Sequence, residues 1–195
     1  MRELDAMKTS LEGVDDREFG TWVGRTEIRG FEGCHAIESE DLAAYLTELI
    51  PPSHLEGCPS IEFDPRNPAF LEEPGTLGFF ECDSHAIHIA SEDSFPDGIE
   101  GLLDTVTHEV GHNTHAALMD TSPGLAGEWE EMYASTLRKN RGDDLGFVSE
   151  YAKTSQFEDF AESYMTYVRD PGTLMFVSPE KYQFLRDHVF YGREY

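Results

Sequence analysis

His108-Glu109-Val110-Gly111-His112 brackets a glutamate between two histidines four residues apart. On a helix, positions i and i+4 share a face, so both imidazoles can grip one metal ion. Glu109, beside the first histidine, is then placed to act on a water held by that ion. This HExxH pattern belongs to the chemistry of zinc-assisted hydrolysis.

Two histidines need a third ligand. A metzincin-type site would continue with glycine at 115 and histidine at 118, but the chain has His115 and Leu118. A thermolysin-like site needs a glutamate about twenty residues on, with an acid four residues after it. Glu128, Glu130 and Glu131 are followed at that spacing by Met132, Ala134 and Ser135. A better candidate is Glu158-Asp159-Phe160-Ala161-Glu162. Glu158 can supply a carboxylate oxygen to the metal, and Glu162, one turn on, can accept the second ring N–H of a ligand histidine and fix its tautomer. Ser155-Gln156-Phe157-Glu158 is also a capping box, so Glu158 has an alternative role at the helix start.

The elements that must carry these groups follow from periodicity. Asp97-Gly98-Ile99-Glu100 reads as a capping box opening a helix, with apolar residues at Ile99, Leu102, Leu103, Val106, Val110 and Ala117 facing a core. Gly111 inside that helix implies a close backbone approach. Trp129, Met132, Tyr133, Thr136 and Leu137 mark an amphipathic helix. Phe157, Phe160, Ala161, Tyr164, Met165 and Val168 mark the buried stripe of another, which ends at Asp170-Pro171-Gly172. Upstream, Thr21–Phe31 reads as one strand, and Ser39 to Ile50 as a helix with Ser39 at its N-cap, stopped by Pro51-Pro52. Residues 51–75 read as loop with a strand near Ile61–Phe63. Leu77–Glu81 and His85–Ala90 form a hairpin around Cys82-Asp83-Ser84. Residues 1–20 are expected to form an acidic arm, and residues 21–195 one domain, with a sheet lobe to about residue 120 and a helical lobe after it.

Composition bounds the function. The net charge of −25, with 39 acidic residues against 14 Lys and Arg, opposes binding to nucleic acid or an anionic membrane surface. Lysine occurs only at Lys8, Lys139, Lys153 and Lys181. Such acidity fits a high-salt setting, a basic partner or an ordinary acidic protein. No apolar run is long enough to span a bilayer, and the first residues lack a signal-peptide core, so the expectation is a cytoplasmic protein, with a leaderless export route as the exception. Three cysteines without zinc-ribbon spacing fit a reducing compartment, with Cys34 and Cys82 as core thiols.

Tyr151, seven residues before Glu158, together with Glu158-Asp159-Phe160-Ala161-Glu162 and the HExxH, resembles the catalytic domain of anthrax lethal factor and the secreted Pro-Pro endopeptidases of clostridia and bacilli. The resemblance runs from the hairpin near Leu77 to the last helix, about half the chain, and includes Ser178 to Leu185. It implies a zincin-like α+β fold of gluzincin type, in which a small mixed sheet packs on the HExxH helix and a helical carboxyl-terminal lobe closes the cleft. It also implies a tyrosine, here Tyr151, facing the zinc and donating to the oxyanion. In that layout the strand before the HExxH helix, here His85–Ala90, is the sheet edge and takes an extended peptide by strand addition, which would make His85, Ala86, Ile87 and His88 substrate-binding. His85, His88 and His115 are candidate cleft residues, for each of which a surface or packing role is the simpler reading.

The expected activity is a zinc endopeptidase acting on a protein or peptide substrate, with one Zn²⁺ held by His108, His112 and Glu158, Glu109 as general base and Glu162 behind the ligands. The alternatives are a non-catalytic zinc-binding scaffold or virion-associated binding protein on the same fold, and a zinc hydrolase of a non-protein amide.

Overall fold

The computed structural model describes residues 20–95, 97–140 and 146–195. The arm expected over residues 1–20 lies, except for Gly20, outside the described residues. The chain is α+β: helices predominate around one five-stranded mixed sheet.

The expected first strand is a hairpin instead, β1 (Thr21–Val23) and β2 (Thr26–Arg29). Gly24 takes a positive φ of 63° between them and turns the chain back. α1 (Ser39–Leu49) lies between β2 and β3 (Ser60–Phe63), which pair in parallel. Glu38 rather than Ser39 holds the α1 N-cap, with no side-chain cap bond. A short α2 (Pro68–Glu72), capped by Asn67, interrupts a stretch expected to be loop. β4 (Gly78–Phe80) and β5 (Ile87–Ile89) then form the antiparallel hairpin.

The strand order is β1-β2-β3-β5-β4. β5 enters parallel to β3, which leaves β4 on the outside of the hairpin as the sheet edge. This corrects the expectation that His85–Ala90 is the edge strand. His85 and Ala86 precede β5, and Ile87 and His88 lie in an interior strand whose ladder is filled on both sides.

α3 (Ile99–Thr121) carries the HExxH. Its N-cap is Gly98, at φ 61° with no side-chain cap bond, so the Asp97 capping box does not form. Leu102, Leu103, Val106 and Val110 enter the core, while Ile99 stays exposed on the first turn. α4 (Pro123–Asn140) buries Trp129 completely. α5 (Gln156–Arg169) packs along α3, and α6 (Pro171–Val177) and α7 (Pro179–Phe184) close the chain with a π-helical turn over Leu185–Val189. Arg169 ties the end of α5 to the start of α3 through Asp104, at 2.7 Å, and Glu100.

On α5 the buried stripe is wider and rotated from the expected one. Asp159, Ser163 and Tyr167 are buried, whereas Phe157 is 43 % exposed and faces a cleft with Met165. Cys34 is buried, but Cys82 is exposed at the hairpin tip, which corrects its assignment as a core thiol. No helix among the described residues is long and apolar enough to cross a membrane.

Candidate metal centre

α3 and α5 meet side by side, and the meeting brings His108, His112 and Glu158 together. Gly111 is a point of close approach between the two helices: a Cβ there would lie 3.0 Å from Ala161 Cα. Without that approach the histidines of one helix could not reach the carboxylate of the other.

The geometry fits a tetrahedral ion. His108 Nε2 lies 3.1 Å from His112 Nε2 and 3.1 Å from Glu158 Oε2, and His112 Nε2 lies 3.2 Å from Glu158 Oε2. Three corners of a tetrahedron around zinc, at bond lengths of about 2.0–2.1 Å, are separated by about 3.3–3.4 Å. The donor set of two imidazole nitrogens and one carboxylate oxygen suits zinc, leaving a fourth position open.

The surrounding carboxylates orient these donors. Glu162 Oε1 lies 2.8 Å from His108 Nδ1, so in the neutral ring that a metal ion requires, the proton belongs on Nδ1 and Nε2 faces the cluster. Ser155 caps α5, its Oγ accepting from Glu158 N at 3.1 Å. Half of the capping box therefore forms, and the Glu158 carboxylate turns to the histidines instead of back to the cap.

The charges around the cluster are compatible with a cation. Burial opposes a charge on His108, but the hydrogen bonds to Glu158 and Glu162 win and raise its pKa well above the imidazole range. Burial works against the Glu158 charge too, yet its contacts with His108 and His112 hold its pKa far below the usual carboxylate range. Glu162 is likewise lowered, burial being outweighed by His108 and the Ser149 side chain. A site that draws a proton onto His108 so strongly favours any positive charge among its donors, and a metal ion competes for the same place.

Glu109 is buried against β4, its Oε2 without a hydrogen-bond partner among the described residues. Burial raises its pKa despite the nearby histidines. The Tyr151 ring lies 6.0 Å from that of His108, and burial and then the Glu158 charge push the phenol up to about 12. Tyr151 therefore keeps its proton at neutral pH.

These groups line a cleft of about 1170 Å³ between β4 and the start of α5. Leu77 O accepts from Ala90 N and Glu81 N donates to Ala86 O, the residues on either side of β5, so by alternation the backbone groups of Gly78 and Phe80 point outward. His85 and His115 reach the cleft wall. His115, 3 % exposed, is stacked on Phe160 at 4.3 Å with its Nδ1 unpartnered among the described residues, so packing and lining coincide in one ring. His88 is not among the residues lining the cleft; it stacks on Phe79 beside Asp64.

Several contributors carry no sequence signal. Asn113 Nδ2 donates to the carbonyls of His54 at 2.8 Å and Glu56 at 3.2 Å, anchoring the loop before β3 to the HExxH helix. Gly78 allows β4 to approach Glu109, and Lys181 reaches the back of α5. Comparison of the chain with family models, with curated proteins and with solved structures finds no match.

Proposed function

We propose that this chain is a zinc-dependent endopeptidase of zincin type that cleaves an extended peptide in the cleft between β4 and α5. The observation that carries the reading is the triangle of His108 Nε2, His112 Nε2 and Glu158 Oε2, with sides of 3.1, 3.1 and 3.2 Å, beside a buried and unpartnered Glu109 oxygen.

His108, His112 and Glu158 would hold the ion. Bound zinc supplies Lewis acidity and lowers the pKa of a water in the open position. Glu109 takes a proton from the attacking water and returns it to the leaving amine, and its raised pKa suits a group that must do both. The protonated Tyr151 hydroxyl donates to the carbonyl oxygen as charge develops on it. The outward backbone groups of Gly78 and Phe80 pair with the substrate, so strand addition belongs to β4.

The test is cleavage of a broad peptide library, Pro-Pro sequences included, by zinc-loaded protein at low and at molar salt. Cleavage lost in Glu109→Ala, with zinc still bound, and zinc binding lost in Glu158→Ala are the expected results. Undiminished turnover in Glu109→Ala would remove the base, and undiminished zinc affinity in Glu158→Ala would remove the third ligand.

A further inference from the structure

One of the four lysines is buried where no ligand of the site explains it. Lys181, on α7, is 1 % exposed, and its Nζ lies 2.5 Å from Oδ1 of Asp159, which is 0 % exposed. Nζ also donates to Gly146 O at 2.8 Å and lies 4.3 Å from the centroid of the Phe147 ring. Asp159 adjoins Glu158 on α5 but faces away from the cleft. Gly146 opens the segment that runs through Phe147 and Ser149 to the turn Tyr151–Lys153. One ammonium therefore touches both pieces of chain that enter the centre from this side: the helix of Glu158 and Glu162, and the segment of Ser149 and Tyr151.

We infer that Lys181 is a positioning residue, a buried latch that fixes the Tyr151 segment against the Glu158 helix. A buried ion pair is a poor device for stability alone, because both charges lose hydration and an apolar pair of the same volume serves as well or better. A charged pair does what an apolar one does not: it fixes direction. Phe147 is buried above the ammonium with the Tyr133 ring against it, and the Trp129 ring, fully buried, lies 5.9 Å from Nζ. The only strong acceptors that Lys181 meets among the described residues are Asp159 and Gly146. Sliding the Tyr151 segment along α5 would leave the ammonium with one acceptor in place of two. Tyr151, which lines the cleft with its ring 6.0 Å from that of His108, then reaches the centre from a fixed base.

The inference rests on the reading of the cluster as a metal centre, and its test separates the two. The full chain is compared with Asp159→Asn/Lys181→Met and Asp159→Leu/Lys181→Met, metal-free and with zinc added. Amide exchange at Ala152, Lys153 and Thr154 and the zinc dissociation constant are measured. In the parent these amides are expected to be protected together with those of α5. In a folded double variant they exchange at least ~10-fold faster while the centre of α5 does not, and zinc binds ~10-fold more weakly. Parental exchange and parental zinc affinity in a folded double variant would overturn the latch, as would unprotected amides in the parent beside a protected α5. Unfolding of both variants would also overturn it, because the pair would then hold the fold and not the segment. A parent that binds no zinc would end the metal-centre reading, and the exchange comparison alone would then decide the latch.

Discussion

Glu162 Oε1 sits 2.8 Å from His108 Nδ1, on the side of the ring opposite Glu158. One imidazole is thereby held between two carboxylates of the same helix, one turn apart. The contact selects the tautomer with Nε2 unprotonated and raises the basicity of that nitrogen. Glu162→Ala is expected to weaken zinc binding ~10–100-fold, as measured by competition with a chromophoric chelator. Glu162→Gln, which keeps an acceptor oxygen without the charge, should recover part of the loss. Equal affinity in all three proteins would mean that the ring is oriented by packing alone.

Gly78 is the point where the sheet edge passes the proposed base. A Cβ added there would lie 2.8 Å from Thr105 Cγ2 and 3.2 Å from both Cγ and Oε1 of Glu109. Gly78→Ala must therefore move either the edge strand or the carboxylate. We expect kcat to fall by ~10²-fold, the scale of a misplaced catalytic group, with zinc affinity unchanged because no ligand is touched. Thr105→Ala in the same chain removes the nearest obstacle and should restore part of the activity. A Gly78→Ala protein with the parental kcat would show that β4 has freedom to withdraw.

How much of this is legible in the sequence depends on how local the cause is. The helix bearing His108 and His112 follows from apolar spacing, and the glutamates at 158 and 162 follow from residue type at helical spacing, because both causes act within a few turns. The identity of the edge strand does not follow. Whether β4 or β5 lies outside is decided by which of them pairs with β3, a contact between segments more than twenty residues apart. Phe157 and Met165 look like core residues by type, yet they face the cleft, because the face of α5 that packs is set by its neighbours α3 and α7. The burial of Lys181 is legible least of all. A lysine between Glu180 and Tyr182 reads as solvated until α7 is laid against Asp159.

Gly111 offers a test of the helix contact itself. Alanine is the better helix former by about 1 kcal/mol, so an open site would gain stability. Here the added Cβ would lie 3.0 Å from Ala161 Cα and 3.2 Å from Tyr164 Cβ, and neither is the end of a flexible chain. Overpacking of that kind costs about 1–3 kcal/mol, so Gly111→Ala is expected to be destabilised in urea unfolding and to bind zinc more weakly as α3 and α5 separate. Gly127, on α4, has nothing within 4 Å of its Cβ position. Gly127→Ala is the control and should be stabilised by about 0.5–1 kcal/mol. The same sign for both substitutions would refute the close-contact account.

His54 sets a pH limit on the fold that is independent of the metal centre. Its Nδ1 lies 2.7 Å from the Tyr164 hydroxyl and its Nε2 lies 3.0 Å from Val189 O. A neutral ring satisfies both partners, accepting from the tyrosine and donating to the carbonyl. Burial lowers its pKa to about 4, and burial does the same to His115. Above pH 6.5 both histidines are neutral in the folded and the unfolded chain and contribute no pH dependence. Below 6.5 the unfolded chain takes up protons that the folded one refuses, so stability falls until the folded pKa near 4 is reached. From pH 6.5 to 5 the loss is about 2 kcal/mol for each histidine. The raised His108 works the other way in metal-free protein: it is protonated in the folded chain throughout this range, while the unfolded ring fills only as pH falls below about 6.5, a small term that opposes the loss. The lowered Glu158 enters only below about 4.5, where the unfolded carboxylate begins to take up protons. Asp159, whose carboxyl burial raises to about 6, takes up its proton in the folded chain within this range and opposes the fall, and burial raises Glu109 in the same sense, so urea unfolding of chelator-treated protein between pH 6.5 and 5 reads a histidine as the difference between variant and parent. His54→Gln is expected to be less stable at pH 7, having lost a packed ring, and to lose less stability than the parent between pH 6.5 and 5, the difference being the His54 contribution. A variant with the full parental slope would show that His54 is protonated in the fold, which requires Tyr164 to give up its donated hydrogen bond.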